Sequence, residues 1–213
     1  LAEIFESMVT AQSVKELREK TGAGMMDAKK ALEESGGDTE KAIEWLRKKG
    51  QQIALKKQSE RTAHEGVVES YIHSNSRVGV LLELNCETDF VARNSEFKSL
   101  AHDIAMHIAA MNPRFIASGD VPVEVIEKEK EIEREKLHNE GKSADMIEKI
   151  LEGKMNKFFS DVCLMNQLFV KDDSQTIQDI VNSATAKLGE KVVIRRFSRY
   201  SLESEPTACS IKE

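Results

Sequence analysis

From Val78 to Cys86 the chain reads VGVLLELNC, apolar at nearly every position. A short, nearly continuous apolar run bounded by polar turns fits a strand buried within a sheet, so this segment is expected at a sheet centre. It needs neighbours. Upstream, VVESYIH at 67–73 has the alternating pattern of a half-buried strand, and Ser-Asn-Ser provides the turn between them. Near the far end, KVVIRRFSRYSL reads as a strand that returns to the same sheet. Aromatics make up only 5% of the chain, so Leu, Ile, Val, Ala and Met must build the core.

Around this sheet the apolar period is helical. Phe97, Leu100, Ala101, Ile104, Ala105 and Ile108 recur at helical spacing over 96–111, and Asn112-Pro113 ends that helix. The stretch 122–138 is intensely charged with a narrow apolar stripe. A turn at Asn139-Glu140-Gly141 and a second helix over 144–164, interrupted near Gly153, complete a protruding antiparallel hairpin. A last helix is expected over 176–188, ended by Gly189. The first fifty residues form three short helices. Val14 and Leu17 mark the first; Met25, Ala28, Ala31 and Leu32 the second; Ala42, Ile43 and Leu46 the third. Gly36-Gly37 closes the second, and Asp38 caps the third. The fold class is therefore α+β: a three-helix module, a small antiparallel sheet with helices on one face, and a helical hairpin.

The boundaries expected are 1–50 for the module, with its first dozen residues disordered or foreign and Met8 a candidate internal start. A linker or exposed helix occupies 51–65, its Lys56, Lys57 and Arg61 read as a solvated basic stretch. The α+β core spans 66–203 with the hairpin inserted at about 122–164, and 204–213 is a disordered tail.

The net charge of −6 argues against a general nucleic-acid binder, which carries a basic excess to neutralise phosphates. No run reaches the ~18–20 apolar residues of a membrane span, and LAEIFESM lacks the shape of a secretory signal. Cys86, Cys163 and Cys209 are odd in number and far apart, which suggests neither a disulfide framework nor a zinc site. A reducing cytoplasm or organelle matrix is the expected compartment. Catalytic chemistry finds no residues. His102 and His107 stand five apart on one helix, too divergent for a ligand pair, and TGAGMMDAKK lacks the strand and GK[ST] of a phosphate loop.

What remains is surface. Met25 and Met26 are adjacent on a helix and point about 100° apart, so one of them is expected at the surface. Phe90 poses a choice. If a helix starts at Thr88, Phe90 joins Phe97, Ala101 and Ile104 on the buried stripe. If it starts at Asn94 or Ser95, Phe90 sits in a loop and protrudes. Periodicity alone favours the core.

Two stretches together resemble the translation elongation factor Ts family: LREKTGAGMMDAKKAL at 17–32 and ELNCETDFVAR at 83–93. Further similarity runs through IAMHIAAMNPRFI, GKMNKFF, LFVKDD and VVIRRF. The resemblance implies a guanine-nucleotide exchange factor without catalytic side chains, metal or cofactor of its own. Such a factor promotes GDP release from elongation factor Tu during translation elongation, intruding near the magnesium and phosphate site. The module, similar to a ubiquitin-associated domain, and the core are expected to grip the partner's GTPase domain. Asp89 and Phe90 fall at the intruding position. His107 matches a core residue that approaches the partner, and Met25, Met26, Arg18 and Lys29 match the N-terminal contact surface. With one strand-hairpin unit the chain resembles the short form, which implies a homodimer and a two-to-two complex, with no direct nucleic-acid or membrane contact. Ser198 departs from the familiar ending, so no covalent link between subunits is inferred. The resemblance also reverses the reading of Phe90, which is expected at least partly exposed in a loop or loose turn. A ubiquitin-like-binding scaffold fits the first module alone but leaves ELNCETDFVAR unexplained.

Overall fold

Thr10 starts the first helix. In the computed structural model, which describes residues 9–202 and omits the side chains at 51 and 53–60, its Oγ1 accepts the Ser13 amide N–H at 3.1 Å. The Ser13 hydroxyl in turn accepts the Thr10 N–H at 3.0 Å, so two amides at the helix start are satisfied reciprocally. The expected internal start at Met8, the disordered tail and Cys209 lie outside the described residues.

Helix α1 spans Ala11–Thr21, so Ala11 and Gln12 are already ordered as helix. It ends where Gly22, at φ 68°, donates its N–H to the Arg18 carbonyl at 2.8 Å. Helix α2 spans Met25–Glu34 and α3 spans Thr39–Glu60, the latter opened by Asp38, whose Oδ1 accepts the Glu40 and Lys41 amides. Helix α3 thus continues through 51–60, the stretch left open between linker and exposed helix. The three helices enclose Val14, Leu17, Ala28, Ala31, Leu32 and Ala42, with Val9, Trp45 and Leu46 packed against them. Three of the six buried residues are alanines. The module's core is small.

Strands β1 (Glu65–Ile72), β2 (Val78–Cys86) and β5 (Val193–Ser201) form one sheet in the order β1-β2-β5. The apolar run is the central strand, as its composition requires. The β1–β2 turn closes with His73 N–H on the Val78 carbonyl at 2.9 Å. Antiparallel pairing of β2 with β5 shows in the Leu202 N–H on the Arg77 carbonyl and in Arg196 against Glu83. Along β2, Val80, Leu82, Leu84 and Cys86 are buried while Leu81 is half exposed, so only one face of this strand is covered.

A five-residue helix, α4 (Asp89–Arg93), precedes α5 (Ser95–Met111). Helix α5 lies against the sheet: His102 Nδ1 is 3.0 Å from Glu69 on β1, and Arg199 on β5 donates to the Ala109 carbonyl. The charged stretch is α6 (Val123–Asn139), joined through Gly141 to α7 (Ala144–Val162). Arg134 to Glu148 at 3.1 Å and Lys154 to Glu133 at 3.3 Å lace this hairpin, over buried Leu137, Ile147, Leu151 and Met155.

Gly153 does not interrupt α7. Ile147, Leu151 and Met155 carry the buried stripe past it, and a Cβ at 153 would meet nothing within 4 Å. The glycine therefore only lowers helix propensity. Gly153→Ala is expected to stabilise by ~0.5–1 kcal/mol, raising the thermal midpoint by about 1–4 °C. An unchanged or lowered midpoint would show that the position needs glycine.

Beyond α7, β3 (Leu168–Phe169) and β4 (Asp172–Thr176) form a second small antiparallel sheet that the apolar pattern does not announce. Helix α8 (Ile177–Leu188) follows. By contacts the chain divides into two compact units. One takes in the residues up to Gly66 with Asn85–Phe97 and Asp179–Val193; the other holds Val67–Leu84, Lys98–Gln178 and the residues from Ile194. Among the described residues no helix is long and apolar enough to cross a membrane.

Candidate partner-binding site

The first turn of α4 explains where Phe90 points. Thr88 is its N-cap in extended conformation, with Oγ1 accepting the Val91 N–H at 3.5 Å. Asp89 sits at the positive end of the helix and pairs with Arg93 at 3.1 Å. Ala92 is 7% exposed, so this side of the helix faces inward. Two residues earlier, Phe90 lies about 200° around the helix and faces out. It is 84% exposed, the largest exposure of any large hydrophobic residue described. The reading from periodicity alone is overturned, and the loose turn is a short capped helix.

The reason is a break. Asn94, at φ −62° and ψ 135°, leaves the helical region, and its Oδ1 accepts the Glu96 N–H to cap α5. Phe97, Ala101 and Ile104 continue one stripe within α5, but Phe90 is on a separate helix whose phase that stripe does not set.

The segment before α4 is held from beyond α8. Gly189, at φ 77°, ends α8 in a left-handed conformation. The Glu190 carboxylate that follows accepts the Glu87 and Thr88 amides at 3.1 and 3.0 Å and the Thr88 hydroxyl at 2.6 Å. Glu87 in turn accepts the Lys191 amide at 2.6 Å and pairs with Arg61 at 3.0 Å. Cys86 donates its thiol to the Thr88 carbonyl at 3.2 Å. Burial, with the Glu190 charge as a lesser cause, pushes that thiol up to about 11, so it is a poor nucleophile.

The same compact unit carries the methionines. Met25 and Met26 are 58% and 74% exposed at the start of α2, and the buried stripe begins only at Ala28. Met25 therefore does not join the buried side of α2 with Ala28, Ala31 and Leu32. Arg18 and Lys29 are exposed nearby in sequence, Lys29 loosely paired with Glu33 at 3.6 Å. The module is tied to α8 by Arg47 on Asp179 at 2.6 Å and by the Lys187 stem against Gly22. Lys187 also reaches Glu96 at 2.8 Å.

His107 belongs to the other unit and is fully buried. Its Nδ1 accepts the Val170 N–H at 3.2 Å, which puts the proton on Nε2, where it is donated to Gln167 Oε1 at 3.0 Å. Burial holds this imidazole below its ordinary value, with the Gln167 bond opposing. The unfolded chain therefore binds the proton first. Stability from this group is present above an unfolded value of ~6.5 and falls with pH below it, by at most about 1.4 kcal/mol per pH unit. Urea midpoints at pH 7.5 and 5.5 should differ more for the wild type than for His107→Gln; equal differences would show that His107 does not titrate on unfolding.

The family profile described as "Elongation factor TS" matches residues 2–203. Elongation factor Ts of Carboxydothermus hydrogenoformans is 58% identical over 195 residues, covering 92% of this chain and 89% of its own length. The chain belongs to the elongation factor Ts family. Elongation factor Ts of Thermosipho melanesiensis, 55% identical, is matched over 92% of this chain and 99% of its own length, so family members of this size occur. That of Geobacter metallireducens is 54% identical over 91% of this chain and 89% of its own length.

Within this elongation factor Ts chain, six of the seven expected contact residues fall in the first compact unit: Arg18, Met25, Met26, Lys29, Asp89 and Phe90. Sequence reading missed Thr88 and Glu190, which hold the Phe90 helix. Thr88 stands before an acidic residue, the ordinary signal of an N-cap, and was legible. Glu190 stands about a hundred residues downstream with no pattern linking it to Thr88.

Proposed function

We propose that the chain is the exchange factor that promotes GDP release from elongation factor Tu, with Asp89 and Phe90 intruding beside the partner's magnesium and phosphate site. The observation that carries this reading is Phe90, 84% exposed on a helix capped by Thr88 and held by Glu190. An apolar ring kept in water on a fixed mount favours burial elsewhere, worth ~1.5–3 kcal/mol for a phenylalanine. Magnesium demands near-ideal octahedral geometry, so a small displacement of a neighbouring loop weakens its hold on nucleotide disproportionately. No catalytic group is needed. The coupling is reciprocal: nucleotide returning to the partner weakens its grip on the factor and releases it.

Met25, Met26, Arg18 and Lys29 form a second contact, an adaptable apolar pair flanked by cations, against the GTPase domain. His107, fully buried, acts not by touching the partner but by holding the Val170 amide within its own unit. The bacterial sources of the relatives support work in the cytoplasm. A homodimer is supported by the sheet's outer face, where Val68, Ile72, Leu81 and Tyr200 are 50% exposed or more. Sedimentation at micromolar concentration reads this directly: a species near twice 23.9 kDa is expected, and a monomer contradicts it.

Release of a fluorescent GDP analogue from elongation factor Tu tests the main reading. The folded chain should accelerate release with a saturating dependence on its concentration; no acceleration would overturn the proposal.

A further inference from the structure

We infer that Glu190 is a positioning residue for the exchange contact, aiming Phe90 by fixing the backbone immediately before it. This rests on the reading of Phe90 as the intruding group. A helix of five residues has no independent stability, because nucleation is unfavourable and too few bonds follow it. The orientation of α4 must therefore be imposed by what flanks it. On its C-terminal side Asn94 leaves the helical region and caps α5, a break in direction that does not set the phase of α4. On its N-terminal side Glu190 Oε2 takes both the Glu87 and Thr88 amides, while Oε1 takes the Thr88 hydroxyl.

Two amides converge on one carboxylate oxygen, at 3.1 and 3.0 Å, and hydrogen bonds to a carboxylate are roughly twice as strong as those between neutral groups. The attachment is also reciprocal. Glu190 holds the Glu87–Thr88 backbone, and Glu87 holds the Lys191 backbone, with Arg61 and the Lys191 amine closing the ring. Rotation of α4 about its entry point would break both halves together. Glu190 is itself half-buried, and it reaches Phe90 through the Thr88 amide and hydroxyl that it holds.

The experiment measures release of the fluorescent GDP analogue against factor concentration for wild type, Glu190→Ala, Glu190→Gln, Phe90→Ala and the Glu190→Ala/Phe90→Ala double variant. Loss of the carboxylate lets the aimed conformation become a minor one, and exchange efficiency is expected to fall ~10-fold. Gln keeps one oxygen for both amides and should stay within about 3-fold of wild type. The double variant should be no slower than Phe90→Ala alone, because Glu190 acts only through that ring. A merely structural role would instead multiply the two defects, and that result overturns the inference. Wild-type activity in Glu190→Ala beside an impaired Phe90→Ala overturns the inference and leaves the proposed function standing. Wild-type activity in Phe90→Ala overturns the reading beneath both. If Glu190→Ala does not fold, Thr88→Val removes the hydroxyl that Oε1 accepts and must show the same non-additivity with Phe90→Ala.

Discussion

Phe90→Ala is expected to lower the efficiency of GDP release about ten- to hundred-fold while leaving the melting temperature unchanged, the signature of a residue spent on another surface. The magnitude follows from burial of ~1.5–3 kcal/mol per phenylalanine side chain, at 1.4 kcal/mol per factor of ten. Stability should not suffer, because a ring 84% exposed contributes little packing to its own fold. Measured together, exchange kinetics and a thermal melt separate the two. A variant with full activity would remove Phe90 from the contact, and one that melts early would return it to the core.

Leu17→Ala should have the largest effect on structure. Leu17 is fully buried among Val14, Ala28, Ala31, Leu32 and Ala42, a set in which alanines outnumber leucines. Truncating a buried leucine removes ~2–5 kcal/mol, and a core of this size supplies about 3–5 kcal/mol. The module is therefore expected to unfold while the sheet stays folded. Hydrogen exchange should show protection lost in α1 and α2 and retained in β2 and α5. Loss in β2 as well would mean that module and core fold as one cooperative unit. Activity should fall with the module, since Arg18, Met25, Met26 and Lys29 lose their framework.

What the sequence disclosed follows from which interactions are local. The central strand and α5 were legible because each buries a continuous stripe, and a stripe carries its period in the residues themselves. The second small sheet was not. Asp172–Thr176 has little apolar content, and the adjoining segment is held from elsewhere, by His107 on the Val170 amide and by Gln167, whose carbonyl accepts the Ile177 amide. The continuity of α7 through Gly153 was missed for the opposite reason: glycine signals a break locally, and the packed stripe on either side overrides it. Family resemblance, not periodicity, pointed outward at Phe90. The conformation responsible is a single ψ of 135° at Asn94, which detaches α4 from the α5 stripe. Glu190 was invisible because its bonds join segments that are far apart in sequence and share no pattern.

The most direct test of the exchange reading is the affinity of the chain for elongation factor Tu, measured by titration calorimetry with the partner nucleotide-free and then saturated with magnesium and GDP. An exchange factor must bind the nucleotide-free partner more tightly, by the same factor by which it weakens GDP. The account predicts at least about a hundredfold difference, in the upper part of the range usual for coupled sites. Equal affinities in the two states would contradict it.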